Sequence, residues 1–277
     1  MKKLHLISAM IVATMFFACN NTPKNTSTEE CRQEESKQEE SYNMEFEPYI
    51  VKEVVPIDPR DKNSPALDIS ISLMLAKNAN PQVAEKMNRS IAYLALGHEG
   101  MTPQEATVAT QDIIKKEYMA LRNDYINEKA ADYPSHWLNQ YYHVESEVLE
   151  GKKNTVCYKS TCDIFSGGAH PYCHTNISNF DQRTGEEITL DDLFTENYEN
   201  ELTSMLVRRL MEINGATSIE ELQEMGYLSI ADMFITNNFY LKKDSIVFLY
   251  NQYEIAPYAL GQSLIGFSYK ELKDLLK

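Results

Sequence analysis

Basic residues and long apolar runs are both scarce in this sequence of 277 residues. Lysine and arginine number 26 against 41 aspartates and glutamates, which gives a net charge of −15. A field of that sign repels phosphates and anionic lipid headgroups, so we expect no nucleic-acid partner. The longest apolar run, residues 6–17, falls short of the roughly 20 residues that cross a hydrocarbon core. The run therefore predicts a cleaved signal rather than a membrane span.

Motifs of the common catalytic classes are also absent. The sequence has no Gly-x-Ser-x-Gly nucleophile elbow, no phosphate-binding loop and no His-Glu-x-x-His metal-binding helix. A metal site built from His170, Cys173 and His174 is disfavoured, because neighbouring residues on a strand point to opposite faces. We predict no catalytic residue, no metal and no cofactor, and the sequence favours a protein that is not an enzyme.

The first residues are typical of a bacterial lipoprotein. Lys2 and Lys3 form a basic start, the apolar run follows, and the small Ala18 precedes Cys19. This order predicts that residues 1–18 are a signal peptide and that Cys19 carries acyl chains such as palmitate. The lipid would anchor the protein to a membrane of the cell envelope, and we expect the outer membrane, facing the periplasm or the surface. An ordinary secretory peptide with a chance cysteine is the alternative.

Residues 19–47 are rich in Asn, Thr, Ser, Glu and Gln and have few apolar side chains. Ordering them would cost chain entropy without burial in return, so we predict a disordered, lipidated tether. Eight glutamates and three basic residues give the tether a net charge of −5, and the two lysines of the signal peptide contribute +2. Of the total net charge of −15, this leaves −12 on residues 48–277. That charge would steer a cationic partner towards the folded part, or it serves solubility alone.

Residue periodicity predicts an α+β fold. Residues 67–73 alternate between apolar and polar, as a half-buried strand does. Two helices should follow, one from Asn80-Pro81 to Gly97 and one opened by a capping box at Thr102. Residues 137–180 predict a meander of three antiparallel strands.

The rest of the chain continues this mixture of helices and strands. Its order favours an α+β fold, with an antiparallel sheet and helices packed on one side, over a doubly wound sheet. The predicted elements are a helix over 198–213, a short helix after Ser218, strands over 238–242, 245–250 and 264–267, and a terminal helix opened by a capping box at Ser268.

The candidate ligand-binding residues lie in and around the turn 166–171. Gly167 and Gly168 permit a positive φ or a close backbone approach, and Pro171 keeps the residue before it extended. A tight turn with its histidine packed beneath it is the alternative to a binding role. Nearby aromatic rings could stack on sugars or pack in a core. The candidates are His170, Tyr172, Trp137 and Tyr142.

Four cysteines remain besides the one predicted to carry lipid, and they could oxidise outside the cytoplasm. If the hairpin is centred on Gly167 and Gly168, Cys162 lies opposite Cys173 at cross-strand distance. The sequence therefore predicts a disulfide between these two residues. It leaves the redox state of Cys31 and Cys157 open.

Several motifs in the second half together carry a family resemblance. They are Gly167-Gly168-Ala169-His170-Pro171, Asn179-Phe180-Asp181, Thr184-Gly185, Leu190-Asp191-Asp192-Leu193-Phe194 and Tyr253-Glu254-Ile255-Ala256-Pro257-Tyr258-Ala259-Leu260-Gly261. This set resembles an extracytoplasmic domain of the RsiV-type lysozyme-sensing anti-sigma factors, and similar domains occur in PdaC-type peptidoglycan deacetylases. The resemblance implies a PdaC-like α+β segment over residues 48–165 and an RsiV-like domain over residues 166–277.

The parts that define those relatives are missing from this sequence. It lacks the paired Asp and the His-x-x-x-His ligands of the deacetylase domain, and it lacks the cytoplasmic segment and membrane helix of the anti-sigma factors. The resemblance thus implies only the outer, ligand-binding part, for which lysozyme is the suggested ligand.

Three functions stay open at this point. The favoured one is a non-catalytic binding or sensing module of the cell envelope, for a cell-wall glycan or a cationic lysozyme-like protein. The second is an envelope hydrolase that acts on peptidoglycan, with His170 and Asp181 as acid or base. The third is a structural lipoprotein without a ligand.

Overall fold

The computed structural model describes residues 44–77, 80–130, 136–227 and 233–277. It confirms the predicted α+β class, with one six-stranded sheet, one three-stranded sheet and helices. The predicted signal peptide, Cys19 and Cys31 lie outside the described residues. The first strand begins at Glu45, so the last residues of the predicted tether already belong to the sheet.

The six strands of the larger sheet follow one another in chain order. All neighbours are antiparallel except the second and third strands, which are parallel because three helices cross over between them. The predicted meander is present, although its first strand starts at Gln140 because Trp137 lies in the 3₁₀ helix His136–Leu138. The strands are β1 (Glu45–Pro56), β2 (Ala66–Lys77), β3 (Gln140–Glu150), β4 (Thr155–Phe165), β5 (Tyr172–Asp181) and β6 (Glu187–Ile188).

The first core lies between this sheet and the crossover helices α1 (Pro81–Leu96) and α2 (Pro103–Ala120). A third crossover helix, α3 (Arg122–Ala130), follows them. Alternation along β2 puts one set of side chains under the helices, as predicted, and leaves the polar set on the opposite face. The buried set is Leu67, Ile69, Ile71 and Leu73.

The ends of the crossover helices are those that the sequence predicts. The Asn80 side chain accepts a hydrogen bond from the backbone N–H of Gln82, and Gly97 ends α1 in the left-handed conformation. Thr102 and Glu105 form the reciprocal capping box at the start of α2.

A second core belongs to the C-terminal half, where Phe248 and Leu206 are fully buried. The boundary predicted between residues 165 and 166 falls in the turn between β4 and β5, so the larger sheet extends across it as far as β6. The elements of this half are α4 (Leu190–Leu193), α5 (Glu199–Asn214), α6 (Ile219–Glu224), β7 (Phe239–Leu241), β8 (Ser245–Tyr250) and β9 (Ser263–Ser268).

The predicted terminal helix is wrong, since residues 269–275 form turns. The capping contacts do form, with Glu271 accepting hydrogen bonds from the backbone N–H and the hydroxyl of Ser268. Beyond them the backbone bonds elsewhere: Thr195 N–H donates to Leu275 O at 2.8 Å, and Lys277 N–H donates to Leu193 O at 2.9 Å. Two helical bonds do form, from Leu272 N–H to Ser268 O and from Leu276 N–H to Leu272 O, but they do not continue into a regular helix, and the tertiary bonds hold residues 275–277.

Asparagine side chains attach the C-terminal half to the outer edge of β5. Asn238 accepts from Ile177 N–H at 2.7 Å and donates to Thr175 O at 2.7 Å. Asn251 accepts from Thr175 N–H at 2.8 Å. Asn179 lies on β5 itself, and its side chain bonds to the backbone of β7: it donates to Phe239 O and accepts from Leu241 N–H. We refer to the bonds of Asn179, Asn238 and Asn251 as the asparagine contacts.

The edge of the sheet on β1 carries two prolines. Pro48 stands opposite Met74, whose N–H points away from β1 to Ser146 Oγ at 2.7 Å. Opposed residues in an antiparallel pair direct their backbone groups either towards each other or both away. The ring nitrogen of Pro48 therefore lies on the free edge, and the same reasoning applies to Pro56.

Candidate functional site

The turn between β4 and β5 needs glycine at position 167. Gly167 has a φ of +91°, and a Cβ there would come within 2.7 Å of the Trp137 carbonyl oxygen and 2.9 Å of its ring. A side chain at 167 would force the turn off Trp137. This close approach fixes the turn and so fixes the position of His170, which is exposed.

His170 forms an aromatic cluster with two tyrosines from the loop after β8. Its ring stacks on Tyr258 with centroids 4.1 Å apart and an interplanar angle of 23°. Its Nδ1 is 2.9 Å from the Pro171 carbonyl oxygen, so Nδ1 carries the proton and Nε2 can accept from the Tyr253 hydroxyl at 3.4 Å. Tyr253 is 56% exposed. We call His170, Tyr253 and Tyr258 the aromatic cluster.

The next residues of β5 form a hydrogen-bonded chain that begins beside this cluster. Tyr172 Oη is 3.1 Å from His174 Nδ1, and His174 Nε2 is 2.9 Å from Asn176 Oδ1. Because the Asn176 amide donates to Leu94 O, its Oδ1 is the acceptor and His174 Nε2 must donate. The Tyr172 hydroxyl then donates to Nδ1, and its ring stays exposed.

Two acidic side chains flank these aromatic residues. Burial raises the pKa of Tyr172, and the Glu254 carboxylate raises that pKa further. Burial also raises the pKa of Tyr141, with Asp163 and the nearby Tyr258 adding to the effect. The surface around the cluster therefore combines tyrosine rings with negative charge.

The four predicted ligand-binding residues divide into two groups. His170 and Tyr172 lie at the surface. Trp137 and Tyr142 are partly buried against the first core. The Trp137 Nε1–H donates to Glu128 at 3.1 Å, and burial, followed by the Cys162 thiol, raises the pKa of Tyr142. Tyr253 and Tyr258 were not predicted as site residues, because more than 80 residues separate them from His170 in sequence.

The predicted disulfide is not formed, and Cys162 and Cys173 are both free. The hairpin register is shifted by one residue from the one assumed, so Cys162 pairs with His174 and Cys173 pairs with Asp163. Paired residues share a face, and the two thiols therefore project from opposite faces of the sheet. Burial raises the pKa of the Cys162 thiol to about 11.

Within the described ranges, no three His, Cys, Asp or Glu side chains are grouped so that they could hold a metal ion. No helix in the same ranges combines the length and apolar character needed to cross a membrane.

Comparison with known proteins finds a DUF3298 domain. Residues 191–270 match the family described as "Protein of unknown function (DUF3298)". A solved DUF3298 family member from Bacteroides fragilis has a TM-score of 0.76 at 29% identity, covering 86% of this chain and 95% of that one. A DUF3298 family protein from Pseudomonas aeruginosa PAO1 has a TM-score of 0.59 at 15% identity, covering 86% and 96%, and shows the fold alone. No curated protein matches the chain.

Proposed function

Starting from the DUF3298 domain at residues 191–270, we propose that the protein is a non-catalytic binding module of the bacterial cell envelope. The partner that its chemistry fits best is a cationic protein of the lysozyme type. The aromatic cluster is the observation that carries this proposal, because it presents two stacked rings, with a third tilted against them, at the surface beside acidic side chains.

The composition of the cluster suits a protein interface. Tyrosine is enriched at the energetic centres of interfaces, where its ring supplies contact area and its hydroxyl a hydrogen bond. Asp163 and Glu254 add negative charge beside the rings, and the net charge of −12 on residues 48–277 would favour encounter with a basic protein.

The finer family assignment agrees with this choice of partner. The RsiV-like motifs include both His170 and the 253–261 segment, which the fold brings into contact at the cluster. In the RsiV-type proteins the resembling domain senses lysozyme. Attachment through Cys19, at the outer membrane, would place the module where such a protein arrives.

A peptidoglycan hydrolase that uses His170 and Asp181 finds less support. Asp181 ends β5 and forms an ion pair with Arg183, which holds the pKa of its carboxyl below the ordinary value. His170 lies before the opposite end of that strand, about 30 Å away at 3.3 Å per residue. The two groups therefore cannot share a substrate bond.

Binding of hen lysozyme to the full mature chain in detergent micelles tests the proposal, by calorimetry at low and moderate salt. We expect micromolar or tighter binding that weakens with salt. Tyr253→Ala should raise Kd about tenfold, since tyrosine anchors of this kind contribute ~1.4 kcal/mol or more.

Tyr93→Ala is the matched control, because Tyr93 is 57% exposed on α1 and lies outside the cluster. This variant should bind lysozyme as the parent does. Absence of binding at micromolar concentration, or equal effects of the two substitutions, would contradict the proposal.

A further inference from the structure

A polar groove runs along the outer side of β5, away from the aromatic cluster. Three cavities of about 450, 420 and 240 Å³ share Ser178 and Glu187 in their walls. The two larger volumes lie within the range of small-molecule sites. We define the polar groove by six residues that line these cavities: Ser90, Tyr93, Asn176, Ser178, Glu187 and Asn237.

The groove is built on ordered elements. Ser90 and Tyr93 come from α1, and Asn176 and Ser178 come from β5. The Ser178 hydroxyl donates to Glu187 Oε1 at 2.5 Å, which holds the carboxylate in the wall of the groove. The Asn176 amide is held in turn by Leu94 O.

The backbone edge beside the groove is not open to an added peptide strand. The outward N–H groups of Thr175 and Ile177 already donate to Asn251 and Asn238. Recognition by strand addition needs such N–H groups to be unpaired. We therefore expect a ligand in the groove to be recognised mainly through side chains.

Those side chains are hydroxyls, amides and carboxylates. Among the described residues that line the three cavities, none is lysine or arginine, and the charged ones are Glu187 and Asp191. This set disfavours an anionic ligand. Carboxylates and amides bond well to neighbouring sugar hydroxyls, and the exposed ring of Tyr93 offers a face for a pyranose.

We propose that the polar groove binds an uncharged oligosaccharide, with Tyr93 stacking on a sugar ring and Glu187, Asn176 and Asn237 bonding to its hydroxyls. This inference goes beyond the proposed function, because the lysozyme-type partner uses the aromatic cluster and needs no group of the groove. The two sites would give one module separate surfaces for a protein and for a glycan.

Titration of the full mature chain with chitotetraose, followed by calorimetry or ligand-observed NMR, tests the groove. The parent chain should bind, and Tyr93→Ala and Asn237→Ala should each weaken binding about fivefold or more. Glu187→Ala should weaken it at least as much, whereas its neighbour Glu186→Ala should not, since Glu186 pairs with Lys86 outside the groove. Thermal melts establish that each variant is folded.

The remaining arms separate this site from the aromatic cluster. Tyr253→Ala should weaken lysozyme binding and leave chitotetraose binding unchanged. Tyr93→Ala should weaken chitotetraose binding and leave lysozyme binding unchanged. Tetralysine serves as a competing probe: if it binds the groove in a Glu187-dependent way and chitotetraose does not, the glycan proposal is overturned. Chitotetraose binding that is equal in parent, Tyr93→Ala and Glu187→Ala would overturn it as well.

Discussion

The outer sides of β1 and β5, the second of which β6 covers only at residues 179–180, both avoid unpaired backbone groups, but in different ways. In the part of the chain that the structure describes, no strand pairs with the outer side of β1, and the ring nitrogens of Pro48 and Pro56 occupy positions where N–H groups would invite another strand. On β5 the edge is covered, and the asparagine contacts bond to its backbone groups. The prolines keep β1 from pairing with another strand, whereas β5 is the strand to which the C-terminal half is attached.

This difference shows how the two cores are held in register. Apolar packing alone leaves the relative sliding of two halves weakly specified, whereas a hydrogen bond to a particular backbone group has one position. The asparagine contacts therefore determine where β7 and β8 lie along β5. The cost of that specificity is dependence on buried polar groups, each of which must stay paired.

The largest effect should come from breaking the β5 attachment with Asn179→Ala. Asn179 is 1% exposed and bonds to Phe239 O at 2.8 Å and to Leu241 N–H at 2.9 Å. Its loss leaves both groups buried and unpaired, so we expect the free energy of unfolding to fall by about 2–4 kcal/mol. Urea denaturation measures this. The exposed Asn200→Ala should change it by no more than about 0.5 kcal/mol, and equal losses would refute the role given to Asn179.

A smaller effect concerns pH and sharpens the contrast between amide and carboxylate contacts. Hydrogen bonds from the Ser268 hydroxyl and N–H, and then Arg209, lower the pKa of Glu271 from 4.5 to about 2. Because the folded pKa is the lower one, the stabilisation is complete above pH 4.5 and is lost as pH falls towards 2. The asparagine contacts carry no titrating group and should not respond.

Urea midpoints for the parent and Glu271→Gln, measured from neutral pH to pH 2, test this expectation. The difference between them should be constant above pH 4.5 and should vanish near pH 2. Glu99→Gln provides the control for removing an exposed charge. A difference that grows on acidification would show that the sign is wrong.

The smallest change in stability is expected on the other edge, for Pro48→Thr. Threonine suits an extended strand and restores an N–H on the free side, so unfolding should shift by no more than about 0.5 kcal/mol. Self-association should nevertheless increase, because the edge can now pair. Analytical ultracentrifugation measures this, with Lys52→Thr as a control that changes a side chain without adding an N–H. A Pro48→Thr variant that stays as monodisperse as the parent would show that the proline does not guard the edge.

Local signals in the sequence predicted much of the fold. Alternation identified β2, and the caps at Asn80 and Thr102 identified the starts of α1 and α2, because these depend on neighbours in sequence. The terminal helix failed although its capping box formed, because the backbone of residues 275 and 277 bonds to Thr195 and Leu193 instead of extending a regular helix. The parallel pairing of β2 with β3 depends on a crossover whose path local patterns do not specify.

The site was less predictable for the same reason. Gly167 and His170 stand out in the sequence, but the candidate site forms only when the fold brings Tyr253 and Tyr258 from the loop after β8 into contact with His170. A one-residue error in the turn was enough to place Cys162 and Cys173 on the same face instead of opposite faces. The polar groove gave no signal in sequence, because its lining residues are ordinary polar residues from separate elements.

The entry of the chain into the sheet has a mechanical consequence. Met44 N–H bonds to Gln182 Oε1, so the polypeptide joins the sheet at the end where β5 finishes, whereas the aromatic cluster lies where β5 begins. If the proposed attachment at Cys19 holds, a partner that pulls on the cluster would stretch β1 along its own axis. The hydrogen bonds between β1 and β2 would then be loaded together in shear rather than opened one at a time, so the sheet would keep its shape under that tension.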